Sequence, residues 1–163
     1  MNRAQRRQVA HSKPIAPPRR RRIFGLTRPT LDEVRVCFAE IDHIFELLRA
    51  GEIDLHGDVP AFRAGETGEW FQLAPALHCW SDLWDKLATH YHIPINTTSV
   101  RRLVDQLHAG EMVTETEVRQ AWATINIARD AYRQMDVYEV KSFVRTIMIK
   151  DRLDAAGLTG ALQ

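Results

Sequence analysis

The chain has 163 residues, a length that allows one domain and excludes a large multidomain protein. Of these residues 45% are hydrophobic, which is enough for one well-filled core. No segment approaches the ~18 uninterrupted apolar residues of a membrane span, so we expect no membrane partner. The formal net charge of +1 excludes a uniformly basic or acidic protein, but it averages two regions of opposite charge.

The first 31 residues form a basic region without a carboxylate. They carry nine Lys or Arg, whereas the chain from Asp32 onward carries thirteen Lys or Arg and all twenty-one Asp and Glu, so the two regions have net charges of +9 and −8. A dense Arg segment on an acidic body is typical of proteins that bind a polyanion, because neutralising phosphates releases counterions almost independently of sequence. The predicted phosphate contacts in this region are Arg3, Arg6, Arg7, Arg19, Arg20, Arg21 and Arg22.

Proline is concentrated in the same region, where residues 8–30 hold four of the seven prolines. Proline fixes φ and removes an amide donor, so we predict an extended or disordered Arg/Pro-rich arm over residues 1–29. The prolines also oppose the amphipathic helix of an organellar transit peptide, and the apolar run after Arg22 is too short for a secretory signal.

Two cysteines without CxxC spacing favour a reducing, cytoplasmic setting with both thiols buried.

The first helix is predicted to begin after Thr30 and to end at Gly51. Thr30 and Glu33 have capping-box spacing, and Gly51 is a typical residue to follow a helix. Between them, apolar residues recur at intervals of three and four, namely Val34, Cys37, Phe38, Ile41, Ile44, Phe45 and Leu48.

Residues 51–69 are predicted to form a long irregular connection, because they contain four glycines and one proline with little periodicity. Long loops without structure are uncommon inside compact domains and are often functional. As an alternative, Ile53, Leu55, Val59 and Phe62 can form a small hairpin or hold the loop on the core.

Two helices are predicted next, over residues 73–91 and 98–108. In the first, an apolar seam alternates spacings of four and three through Leu73, Leu77, Trp80, Trp84, Leu87 and Tyr91. Pro75 fits the first turn of this helix, and Pro94 lies just beyond its end. In the second, Gly110 is the stop and the inward residues are Val100, Leu103, Val104 and Leu107.

Two further capping-box spacings begin the last two predicted helices. Thr114 and Glu117 precede an apolar stripe that continues to Tyr132, and Asp136 with Glu139 opens a helix that ends near Gly157. The inward residues of this last helix are Val137, Val140, Val144, Ile147 and Met148. Five helices with short connections predict an all-α bundle over residues 30–157, followed by a C-terminal tail over residues 158–163.

A helix-turn-helix is one hypothesis for residues 83–108. The second helix would present Ser99, Arg101, Arg102 and Gln106, and Arg is well suited to reading guanine in the major groove. His92 stands where glycine commonly permits the tight turn, and the turn is longer than usual. The competing interpretation is a two-helix corner packed inside the bundle.

Metal and catalytic motifs give no support to an enzyme. His90 and His92 are the one plausible ligand pair, and such a pair at a helix end is more often solvated or engaged in capping. The sequence contains no nucleophile elbow and no glycine-rich phosphate loop with lysine. We therefore expect no catalytic residue, no metal and no cofactor.

Aromatic residues between positions 70 and 84 offer another possible nucleic-acid contact. Trp70, Phe71, Trp80 and Trp84 could stack bases, but their charged neighbours are mostly acidic. Trp80 and Trp84 also lie on the apolar seam of the second helix, which favours a core or helix-interface position.

These patterns together predict a non-enzymatic accessory or regulatory protein whose arm contacts nucleic acid and whose acidic helical body contacts protein. The rival hypothesis is a structural, assembly or adaptor protein whose arm docks on an acidic protein surface, including the body of a neighbouring copy in a homo-oligomer. The opening residues 2–7 resemble the starts of small phage or mobile-element proteins, so an assembly or adaptor protein of that type is the form we give to the rival hypothesis.

Overall fold

The computed structural model describes residues 26–65 and 67–155. Within them the chain is mostly helical, as predicted, and none of the helices is long and apolar enough to cross a bilayer. The elements in chain order are α1 (Leu31–Ala50), β1 (Asp54–His56), β2 (Val59–Arg63), β3 (Trp70–Gln72), α2 (Leu73–Tyr91), α3 (Thr98–Ala109), α4 (Glu115–Tyr132) and α5 (Val137–Ala155).

Side-chain caps begin three helices at the predicted positions. The Thr30 hydroxyl accepts from the Glu33 amide at 3.2 Å, and the Glu33 carboxylate accepts from the Thr30 amide at 3.0 Å. Thr114 and Glu117 make the same reciprocal pair before α4. Hydrogen bonds from the two threonines lower the pKa of both glutamates. Before α5, Asp136 accepts from the second and third amides of the helix at 3.0 Å. These amides lack partners inside a helix, so the caps fix the helix starts locally.

The end of α2 is formed by a histidine in a left-handed conformation. Gly51 and Gly110 end α1 and α3 with φ of 70° and 68°, which glycine adopts without steric cost. His92 has φ of 54° and is the one residue other than glycine with positive φ in the described part of the chain. A side chain in this region is strained by roughly 1 kcal/mol, so packing on both sides of the turn maintains it.

The connection between α1 and α2 is a three-stranded antiparallel sheet in the order β1-β2-β3. This corrects the prediction of an irregular connection and the strictly all-α description. The alternative of a small hairpin is confirmed by β1 and β2, where Leu55 lies opposite Pro60. The third strand was not predicted. In it Phe71 lies opposite Phe62 of β2, and all three of its residues are exposed.

The core lies between the helices and one face of the sheet. The helix α3 packs on both α2 and α4, α1 packs on α4, and the sheet meets the start of α2. The predicted stripes of the first four helices supply the largest fully buried side chains, including Phe38, Phe45, Leu73, Leu77, Leu103 and Ile125.

The second half of α5 departs from its predicted packing. Val137 and Val140 are buried, but Val144 and Ile147 are only partly buried and Met148 is 53% exposed. The apolar spacing continues along the helix after the neighbouring elements have ended, so periodicity alone overestimated the buried length.

Both cysteines are free and exposed, which corrects the prediction of buried thiols. Cys37 lies on the flank of the α1 stripe beside Tyr132, and burial raises the pKa of that tyrosine to about 12. Cys79 lies on α2 next to Trp80, outside the buried seam of that helix.

Candidate interaction surface

The predicted phosphate contacts of the arm lie outside the described residues, but the structure places the point at which the arm joins the body. The Thr27 amide donates to the Asp136 carboxylate at 2.9 Å, and the Val137 amide donates to the Thr27 carbonyl at 2.9 Å. The chain therefore reaches α1 across the start of α5, at the end of α1 that Thr30 caps.

Arg101 of α3 is held by two aspartates of α2. Its guanidinium donates to Asp82 and to Asp85, each at 2.6 Å, and the Thr97 hydroxyl donates to Asp85 at 2.7 Å. The hydrogen bond from Arg101 lowers the pKa of Asp82. All three charged side chains are between 36% and 44% exposed, so these ion pairs add little stability. They do orient the guanidinium toward α2.

The other polar residues of the hypothetical recognition helix are divided between the bundle and the surface. The Ser99 hydroxyl pairs with the Thr124 hydroxyl at 2.8 Å, and the Gln106 amide donates to Glu117 at 2.6 Å. Arg102 is exposed and contributes to the lowered pKa of Glu117. The structure therefore separates the two predicted arginines: Arg101 is engaged inside the body, whereas Arg102 faces outward.

Replacing Arg101 with Ala is expected to raise the pKa of Asp82 toward that of an ordinary aspartate. In the native protein the folded-state pKa lies below the unfolded value, so the stabilisation is present above the unfolded pKa and is lost as pH falls through the folded pKa. The Arg101→Ala variant should therefore lose the stabilisation that the lowered pKa of Asp82 gives the native protein above the unfolded pKa. An NMR titration of the Asp82 carboxyl carbon measures the shift, with Arg102→Ala as the control that leaves it unchanged. An unaltered Asp82 pKa in Arg101→Ala would show that the ion pair does not persist.

The negative charge of the body is concentrated in α1 and the sheet. Residues 32–69 contain ten Asp or Glu and three Lys or Arg, a net charge of −7, whereas residues 70–163 contain eleven and ten, a net charge of −1. Five exposed carboxylates in this part form no ion pair with any residue in the described ranges. They are Glu46, Glu52, Asp54, Asp58 and Glu69, and we call them the acidic surface.

An apolar cavity of about 520 Å³ lies beside the acidic surface. It is formed where the C-terminal end of α1, the β1–β2 hairpin and the turn between α3 and α4 meet. Arg49, Glu111 and Glu115 contribute charge to its lining. Its apolar lining includes Leu48, Ile53, Leu55, Pro60, Leu107 and Val113.

Two smaller cavities extend this opening along the contact between α1 and α4. A cavity of about 310 Å³ shares Arg49 and Glu115 with the first, and one of about 150 Å³ shares Arg49 and adds Glu46. Trp122 lines both smaller cavities. Because Arg49 lines all three openings, we treat them together and call them the α1–α4 groove.

The far end of the α1–α4 groove is built on an ion pair between Asp42 and Arg129. The Arg129 guanidinium lies 5.1 Å from the Phe38 ring centroid and 5.3 Å from that of Trp122, and it also contacts the Asp42 carboxylate. Burial raises the pKa of Asp42, Arg129 opposes this shift, and the nearby Glu46 adds to it.

His90, of the predicted ligand pair His90 and His92, lies with Tyr91 and Phe143 at a separate cavity of about 400 Å³ between α2 and α5. His90 stacks on Phe143 with ring centroids 4.1 Å apart. Among the residues that the structure describes, no group of three or more His, Cys, Asp or Glu could hold a metal ion. Trp84 is buried and Trp80 packs against the core, as predicted, whereas Trp70 and Phe71 are 45% and 44% exposed on β3.

The groove and the third strand of the sheet are the features that the sequence analysis missed. The sequence feature that could have indicated an acidic surface was the charge of residues 32–69. Their net charge of −7 accounts for nearly all of the −8 assigned to the body. Comparison of the chain with protein-family models, curated proteins and solved structures finds no significant match.

Proposed function

We propose that this chain is a non-enzymatic accessory or regulatory protein that associates with nucleic acid through its basic arm and with protein through its acidic body. The observation that carries the proposal is the separation of charge. Nine positive charges precede the first carboxylate, and seven of the eight net negative charges that follow lie in residues 32–69. Basic segments of this density neutralise phosphates with little dependence on base sequence.

The state of Arg101 favours the arm over α3 as the nucleic-acid contact. A guanidinium that reads guanine needs its donors free, and those of Arg101 are directed at Asp82 and Asp85. Arg102 is exposed, but the other basic residue of α3, Arg101, is held by Asp82 and Asp85, so this helix does not present a pair of available arginines. A cytoplasmic location belongs to the same proposal, because two exposed free thiols suit a reducing compartment.

Binding of the full-length protein to labelled duplex DNA, single-stranded DNA and RNA tests the proposal. After nuclease treatment and a high-salt wash, we expect binding at about 50 mM salt that weakens steeply as salt is raised. Replacing three exposed basic residues of α5 with Ala controls for general surface charge. This variant, Arg145→Ala with Lys150→Ala and Arg152→Ala, should retain affinity close to the native value. Absence of salt-dependent binding to all three probes would refute the proposal.

A further inference from the structure

We propose that the α1–α4 groove binds the Arg19–Phe24 segment from the arm of a second copy of the chain. The inference deepens the proposed function, because it names a partner for the acidic body and rests on the same arm. The resulting contact is between different surfaces of two identical chains. Nucleic acid and the groove then compete for one set of arginines.

The chemistry of the segment matches that of the groove. Four consecutive arginines are followed by Ile23 and Phe24, so cationic and apolar side chains adjoin in the order Arg-Arg-Arg-Arg-Ile-Phe. The groove offers an apolar cavity of about 520 Å³ whose charged lining is Glu111, Glu115 and Arg49, and of the two carboxylates only Glu115 already pairs with a described residue, Arg119. Arginine pairs with carboxylates through two parallel donors, and its aliphatic stem packs on apolar surface.

Charge complementarity draws the two surfaces together. The acidic surface lies in the part of the chain with net charge −7, and the arm carries +9. The lining of the groove itself has carboxylates from Asp42, Glu46, Glu111 and Glu115 against the cations Arg49 and Arg119. Glu46 lines the groove and Glu52 follows its Gly51, and neither makes an ion pair with a residue in the described ranges. Opposite charges of this size accelerate association and select a basic partner.

Chain geometry indicates that the segment, and above all its apolar end, comes from another copy. Leu48 lies seventeen residues into α1 from Leu31, which is about 26 Å along the helix axis. The arm joins the body at the opposite end of α1, beside Asp136. Even fully extended, the seven residues from Arg19 to Leu26 span at most about 25 Å, and the four from Arg22 span about 14 Å. An arginine side chain adds to this reach, but Ile23 and Phe24 lie only three and two residues before Leu26, at most about 11 Å and 7 Å away. The apolar end of the segment therefore cannot reach the apolar cavity of its own chain, whereas that of a second chain can.

Sedimentation velocity of nuclease-treated, full-length protein tests the inference. We expect the native chain to self-associate with rising concentration at about 50 mM salt and to dissociate at about 500 mM, where the Debye length falls below 5 Å. A variant with Glu46→Lys and Glu111→Lys in the groove lining and Glu52→Lys directly beside it, together called the three groove lysines, should weaken this association at least about tenfold. The matched control reverses three carboxylates outside the groove, Asp105→Lys, Asp130→Lys and Asp151→Lys. This control changes the net charge of the protein by the same amount as the three groove lysines do. It should self-associate about as strongly as the native chain.

A charge exchange between arm and groove separates direct pairing from a general charge effect. Changing Arg19, Arg20, Arg21 and Arg22 to Glu should abolish self-association, and combining this change with the three groove lysines should restore it. Circular dichroism of each variant confirms that it is folded. A native chain that stays monomeric at low salt, or a combined variant without restored association, would overturn the inference.

Nucleic-acid binding distinguishes this inference from the proposed function. The three groove lysines should leave the arm able to bind duplex DNA, and added duplex should dissociate the native oligomer. Self-association without any nucleic-acid binding would refute the proposed function alone. Nucleic-acid binding by a strictly monomeric protein would refute the groove inference alone.

Discussion

Replacing Arg19, Arg20, Arg21 and Arg22 with Ala is expected to flatten the salt dependence of duplex binding by about 3 to 4 units. The logarithm of the association constant falls with the logarithm of salt concentration by about 0.9 per neutralised phosphate, so four lost contacts remove about 3.6 units. Between about 50 and 200 mM salt, that difference corresponds to about 150-fold in affinity. Fluorescence anisotropy of a labelled duplex over a series of salt concentrations measures both slopes.

The matched control for this prediction replaces the same four arginines with Lys. Lysine keeps the charge that displaces counterions, so the native slope should be retained. The loss in the alanine variant should also be about equal for unrelated duplex sequences. If Arg102→Ala instead removed a preference for one duplex, at about 1 to 3 kcal/mol, base reading would belong to α3 rather than to the arm.

The helices were predictable because their determinants are local. The residues Thr30, Thr114 and Asp136 cap the following helix through neighbours two or three positions away, and a stripe of period 3.6 shows its buried face without knowledge of any partner. Phe45 and Leu103 illustrate the second point, since each belongs to a predicted stripe and each is fully buried. Met148 belongs to a predicted stripe but is exposed, because burial of a residue also depends on where the neighbouring elements end.

The sheet could not be predicted from the same signals. Its outer strands have three residues each, too short for an alternating pattern, and all of their side chains are exposed. Only Ala61 and Phe62 of β2 are buried, and their burial depends on pairing with residues up to eleven positions away and on contact with α2. Turn glycines such as Gly57 and Gly68 were visible, but the same residues are equally typical of an irregular loop.

One part of the candidate site was predictable from local sequence, and the other part was not because it depends on tertiary packing. The arm and its charge were evident in the sequence, whereas the α1–α4 groove combines Leu48, Leu55 and Leu107 from three separate elements. The engagement of Arg101 was also hidden, because Asp82 and Asp85 precede it by nineteen and sixteen residues. Sequence spacing can suggest a neighbour within one helix, but such contacts require the packing of one helix on another.

Replacing Phe62 with Ala is expected to lower the free energy of unfolding by about 3 to 5 kcal/mol. Phe62 is 4% exposed and belongs to the same buried cluster as the helices, so its removal costs the transfer energy of the ring and leaves a cavity. A loss of this size is a large fraction of the 5 to 15 kcal/mol typical of a folded domain. Urea denaturation followed by tryptophan fluorescence measures it.

Phe71→Ala is the matched control, because Phe71 lies directly opposite Phe62 with ring centroids 6.0 Å apart but is 44% exposed. The same atoms are removed, and a loss of only about 1 kcal/mol is expected because much of the ring is already in water. Similar small losses from both variants would mean that the sheet is not an integral part of the core. The groove would be affected as well, since Leu55 and Pro60 of the sheet line it. A large cost at Phe62 alone therefore indicates that the helical core holds the sheet in place and that the groove is formed before any partner binds.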